Sequence, residues 1–155
     1  MTTEPVALTV DTINAAVQSS FPGASHICYE IGANHAISRL EVDEAHIRPG
    51  GYVSGPTQFG AADAVLWYAC FTALGRIEQM ALTSELSIRF LRPAIGKVVW
   101  ARADVDIMTR RSIVGTVRVW MDDEPDRITA TAQGTYAIPT VSYTHLTLPT
   151  KSSVG

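Results

Sequence analysis

Two hydrophobic rhythms run along the chain, helical in its first half and alternating in its second. Apolar residues at Val10, Ile13, Ala16 and Val17 recur at helical spacing, which predicts a helix over Val10–Gln18 capped by Thr9 or Asp11. Phe21-Pro22-Gly23-Ala24-Ser25 breaks it. Two β-rich runs, around His26–Ile31 and Ala36–Val42, flank Gly32-Ala33-Asn34-His35 and read as a hairpin. Asp43 to Gly51 is a loop ending in Pro49-Gly50-Gly51. Thr57 to Leu74 then holds no proline and only Gly60 as a breaker, long enough for about five helical turns. Its apolar residues fall on every face, the mark of a buried helix. Gly75 stands where a helix C-terminus favours glycine.

After Met80 the period becomes two. Leu86, Ile88 and Phe90 alternate with Glu85, Ser87 and Arg89, and Pro93-Ala94-Ile95-Gly96 turns the chain. Val98–Met108, Ile113–Met121 and Arg127–Ile138 follow as long strands, separated by turns at Thr109–Arg111 and Asp122–Asp126. Long strands with short turns predict an antiparallel meander. The fold class is therefore α+β, with an antiparallel sheet wrapped around one long helix. That helix needs more cover than one sheet supplies, so a homo-oligomer is expected, a dimer or a dimer of dimers. One domain is expected over residues 1–140. Residues 141–155 add no core strand, are rich in Ser and Thr, and resemble translated adapter or vector sequence, so they are left outside the fold.

Composition narrows the function. The chain has 155 residues, 46% hydrophobic and 17% charged, with a net charge of -3. It has no Lys/Arg-rich block that would suggest a nucleic-acid or anionic membrane surface. No run of roughly 20 apolar residues is present, so no membrane span is expected. Met1 to Pro5 lacks the basic and apolar regions of a signal peptide, and Cys28 and Cys70 read as reduced structural thiols. A cytoplasmic location is expected. His26, His35 and His46 have no metal-ligand spacing, so neither metal nor cofactor is expected.

Between Pro49 and Gly75 the only charged side chain is Asp63. A carboxylate on an apolar helix is costly unless it is hydrogen-bonded or paired. It is either a satisfied core residue or a group kept in an apolar cleft to attack an acyl carbon or deprotonate water. Val53-Ser54-Gly55-Pro56-Thr57 precedes it, with a cap candidate, a close-approach glycine and a proline suited to the first turn. Free N–H groups at such a helix start can hold a developing oxyanion, although Ser54 taken alone reads as an ordinary cap.

These residues carry a resemblance. Gly51 to Asp63, with Asp63 nine positions after Ser54, is similar to the loop–helix motif of hotdog-fold thioesterases of the phenylacetate-pathway (PaaI) type. Ser87-Ile88-Arg89-Phe90-Leu91-Arg92-Pro93-Ala94 resembles a second motif of that family, and Thr109-Arg110-Arg111-Ser112 loosely resembles a third. The resemblance covers roughly Ala36 to Pro139. It implies a hotdog fold, paired long helices in a dimer, and sites at the subunit boundary. It implies an acyl-CoA thioesterase acting on a medium-chain or aryl substrate. Asp63 would be base or nucleophile, and the Gly55 N–H would polarise the carbonyl. Thr83 aligns with a residue that places water from the second subunit in some relatives. Arg48, with His46 nearby, stands where relatives use a loop Asn or His. Ser54 and Pro56 depart from the family's His and second Gly; Pro56 removes an N–H and the Ser54 hydroxyl could donate instead. Arg110 and Arg111, ahead of Arg89 and Arg92, are candidates for coenzyme A phosphates. An acyl-CoA binder without activity is the second reading, and a dehydratase the third.

Overall fold

The computed structural model describes residues 6–139; the tail expected at 141–155 lies outside the described residues. Helix α1 (Val10–Ser20) is capped by Thr9, whose hydroxyl accepts the Thr12 N–H. Strands β1 (Ile27–Ile31) and β2 (His35–Glu41) form the expected hairpin. A short 3-10 turn, Glu44–His46, leads to α2 (Gly55–Leu74). Then come β3 (Leu82–Phe90), β4 (Val98–Met108), β5 (Ser112–Met121) and β6 (Ile128–Ala137). The result is α+β: one antiparallel six-stranded sheet curls around α2, the hotdog architecture.

The sheet order is β1-β2-β4-β5-β6-β3. β4, β5 and β6 are the meander expected from the alternating pattern. β3 pairs with β6 rather than with its sequence neighbour β4, and so becomes a sheet edge. Periodicity reveals that a segment is a strand and is silent about its neighbour, because pairing depends on where the connection crosses.

Helix α2 starts two residues earlier than its apolar run, since Ser54 caps it and Pro56 needs no helical acceptor. It ends at Gly75, which has a left-handed φ of 73°. Ala61, Ala62, Val65, Leu66, Ala69, Cys70 and Phe71 are buried against the sheet. Gly115 and Gly134 face one another across β5 and β6. A Cβ on either would lie within 3.2 Å of a Leu66 methyl, so this glycine pair lets the helix sit close to the sheet. Cover is uneven: Phe59 on the same helix is 39% exposed, and Asp63, Ala64 and Trp67 are half-buried. No helix among the described residues is long and apolar enough to cross a membrane.

Candidate functional site

Asp63 lies midway along α2 on the flank that the sheet leaves uncovered. Its Oδ1 accepts the Thr83 hydroxyl at 2.8 Å and the Tyr136 phenol. Thr83 and Tyr136 are directly paired across β3 and β6, so one cross-strand pair presents both donors. The β3 register slips between Thr83 and Glu85, and a bulge at this point re-aims the side chains beside it. No described residue donates to Oδ2. Burial first, then the bond to Asp63, pushes the Tyr136 phenol up, so it stays a donor through neutral pH. Asp63 is thus a hydrogen-bonded carboxylate at a cavity wall, between the two alternatives posed above.

The cavity holds about 430 Å³. Gly60, Asp63, Ala64 and Trp67 provide its helical wall, and Ala81 to Thr83 with Tyr136 the strand wall. Val17 of α1 and Phe21, its C-cap, also line the cavity, with Phe21 packed edge-on against Trp67 at 5.9 Å between centroids. α1 is held there because the Asn14 amide both donates to and accepts from the Cys28 backbone. The walls are mostly apolar around one carboxylate.

Gly55, Ser54, Pro56 and Arg48 belong to a different surface. They gather, except Ser54, around a cleft with Tyr52, Phe90 and Arg92. The Ser54 hydroxyl accepts the Thr57 N–H at 3.2 Å and shares a proton with Thr57 Oγ1 at 2.8 Å. Its carbonyl accepts the Gln58 N–H. Pro56 has no N–H, which leaves that of Gly55 as the helix-start donor without an acceptor among the described residues. A Cβ at Gly55 would lie 3.3 Å from the Phe90 ring, so glycine also keeps this approach open. His46 Nδ1 accepts the Asp43 N–H at 2.9 Å, closing the 3-10 turn. The exposed Arg48 donates from Nε to its neighbour's carbonyl.

The structure therefore brings Asp63 and Thr83 together and keeps both from Gly55. Gly55 and Asp63 are eight helical positions apart, about 12 Å along the axis. Thr83, expected to act across the subunit boundary, here reaches Asp63 of its own chain. Arg110 and Arg111 are exposed in the β4–β5 turn. Pairing of Ser112 with Ala137, and of Ala137 with Leu82, sets that turn at the Asp63 end of the sheet.

Tyr136 and His26 escaped sequence reasoning. Tyr136 sits in an alternating strand with nothing local to separate it from a core aromatic. His26 immediately precedes β1, lines the Asp63 cavity and packs on Gly60. The one available signal was Gly60 itself, an otherwise unexplained glycine inside a helix. Cys28 and Cys70 are buried and burial pushes both thiols up to about 12, which disqualifies them as nucleophiles at neutral pH. Among the described residues no cluster of His, Cys, Asp or Glu could hold a metal ion.

The thioesterase superfamily profile matches residues 50–128, just over half of the chain. The chain belongs to the thioesterase superfamily. Family membership makes it a thioester hydrolase. Among solved structures, a candidate thioesterase from Silicibacter sp. has 28% identity and a TM-score of 0.76, over 88% of this chain and 95% of its own. Zebrafish thioesterase superfamily member 2 has 18% identity and a TM-score of 0.71, over 86% and 100%. The phenylacetic acid degradation protein PaaI from Thermus thermophilus has 20% identity and a TM-score of 0.63, over 80% and 99%. The last two share the fold. No curated protein matches this chain.

Proposed function

We propose that this thioesterase hydrolyses a medium-chain or aryl acyl-CoA to the free acid and coenzyme A, with Asp63 as base or nucleophile. The observation that carries the reading is Asp63 itself: a carboxylate at the wall of a largely apolar cavity, its Oδ1 fixed by Thr83 and Tyr136. Acting as base, Asp63 takes a proton from water while the oxygen adds to the thioester carbon. The C–S bond then breaks, and Asp63 returns that proton to the leaving thiolate, giving the free acid and the thiol.

A second copy completes the site. One thioester cannot reach the Gly55 N–H and Asp63 of the same helix, about 12 Å apart along its axis. Two helices packed in a dimer bring the partner's helix start opposite Asp63. The exposed flank of α2 and the unpaired outer edge of β3 support this arrangement. Gly55 would then polarise the carbonyl, and Arg110, Arg111 and Arg48 would meet coenzyme A phosphates. Ser54, occupied as a cap, contributes through the shape of the loop.

A panel of acyl-CoAs assayed by thiol release tests the reading. Turnover is expected on at least one member, and Asp63→Asn should lower kcat by about 10³-fold or more. Near-normal activity in that variant would remove Asp63 from the mechanism. Tight acyl-CoA binding without turnover across the panel would favour a binding protein instead.

A further inference from the structure

The Asp63 cavity contains an imidazole that the mechanism above does not use. His26 lines it, with Nε2 only 3.1 Å from where a Cβ on Gly60 would stand. Gly60 precedes Asp63 by three residues, and positions three apart on a helix project side by side, about 5–6 Å between Cβ atoms. The imidazole therefore occupies the side-chain space that Gly60 leaves vacant, next to the carboxylate along the same helix face. Its backbone is held by the Tyr68 phenol, which donates to the His26 carbonyl.

The ring's surroundings favour one nitrogen for the proton. Nδ1 is cut off from solvent and has no hydrogen-bond partner. A buried N–H without an acceptor is costly, so the proton is better carried on Nε2, where the cavity can supply an acceptor. Burial first, and then the nearby His46, holds the imidazole down at about 4, so the ring is neutral at physiological pH. A neutral imidazole that donates and carries no charge is an electrophile rather than a base. Thr83 and Tyr136 are already engaged, because both donate to Asp63 Oδ1.

We propose that His26 is a further catalytic residue, whose Nε2–H donates to the carbonyl oxygen of the thioester attacked at Asp63. It would supply, from the same chain as Asp63, a hydrogen bond that strengthens as charge builds on that oxygen. Gly60 is then the residue that makes room for the donor. This inference rests on the reading of Asp63 as the reacting carboxylate.

The test is steady-state kinetics of the full chain on the best acyl-CoA of the panel, with His26→Phe and His26→Gln beside Asp63→Asn. Phe keeps a flat ring over Gly60 and removes the donor; Gln restores an N–H near the Nε2 position. His26→Phe should lower kcat by roughly 10²-fold with KM little changed, and His26→Gln should recover most of the loss. Melting temperatures of all variants are read in parallel. Unchanged kcat in His26→Phe, with Asp63→Asn inactive, would overturn the role of His26 alone. A loss that tracks a fall in melting temperature and is not rescued by Gln would assign His26 to the core and also overturn it. A wild-type chain inactive on the whole panel would overturn both readings.

Discussion

Tyr136 shows how much of this site depends on one side chain. It is 4% exposed, yet its phenol reaches the carboxylate of Asp63. A hydrogen bond to a charged group contributes about 1.5–3 kcal/mol, and its loss frees the carboxylate to rotate. Tyr136→Phe should therefore lower kcat by about tenfold while Thr83 still holds Oδ1. KM should change little, which steady-state kinetics on the same substrate would check. A KM effect without a kcat effect would mean that Tyr136 lines the acyl pocket and does not orient Asp63.

At the scale of elements, the contact between α2 and the sheet decides where Asp63 stands. Gly115 and Gly134 leave the space under Leu66 that sets the depth of the helix. A Cβ on Gly134 would come 2.6 Å from a Leu86 methyl and 2.8 Å from the Glu85 carbonyl oxygen. The side chain could turn away, but the carbonyl belongs to the β3 ladder and cannot. Gly134→Ala should destabilise the fold by about 1–3 kcal/mol, read as a lower urea midpoint. The same change shifts β3, which carries Thr83, so activity should fall even where the variant is folded. An unchanged midpoint would show that the sheet can flex there at no cost.

For the whole molecule, assembly and pH response follow from groups that one chain leaves half-covered or buried. Light scattering at micromolar concentration should give the mass of a dimer or a dimer of dimers. A stable monomer would leave Asp63 without an opposing helix start. His26 ties stability to pH. Its ordinary value is 6.5 and the folded chain lowers it to about 4. Above 6.5 both folded and unfolded forms are neutral and stability is complete. As the pH falls toward 4 the unfolded chain takes up the proton first, so stability drops, by at most about 3 kcal/mol. The groups facing the ring are His46, Tyr68 and, along α2, Asp63. Urea midpoints at about pH 7 and about pH 4.5 should therefore converge in His26→Phe relative to wild type. An equal acid loss in both proteins would place the pH dependence on other groups.

The sequence alone determined the elements and singled out one carboxylate, Asp63. Period-two alternation marked β4, β5 and β6, and the all-round apolar run with Gly75 marked α2, because these signals are local. Asp63 was legible for the same reason: a lone charge among apolar neighbours is conspicuous along the chain. Tertiary structure alone decided that β3 pairs with β6, since strand neighbours depend on a crossover that leaves no local trace. It also decided that Thr83 and Tyr136 meet at Oδ1 and that His26 fills the space over Gly60. Those are relations between residues 20 to 73 positions apart in the chain. A sheet fixes neighbours by register, and register cannot be read from one segment by itself.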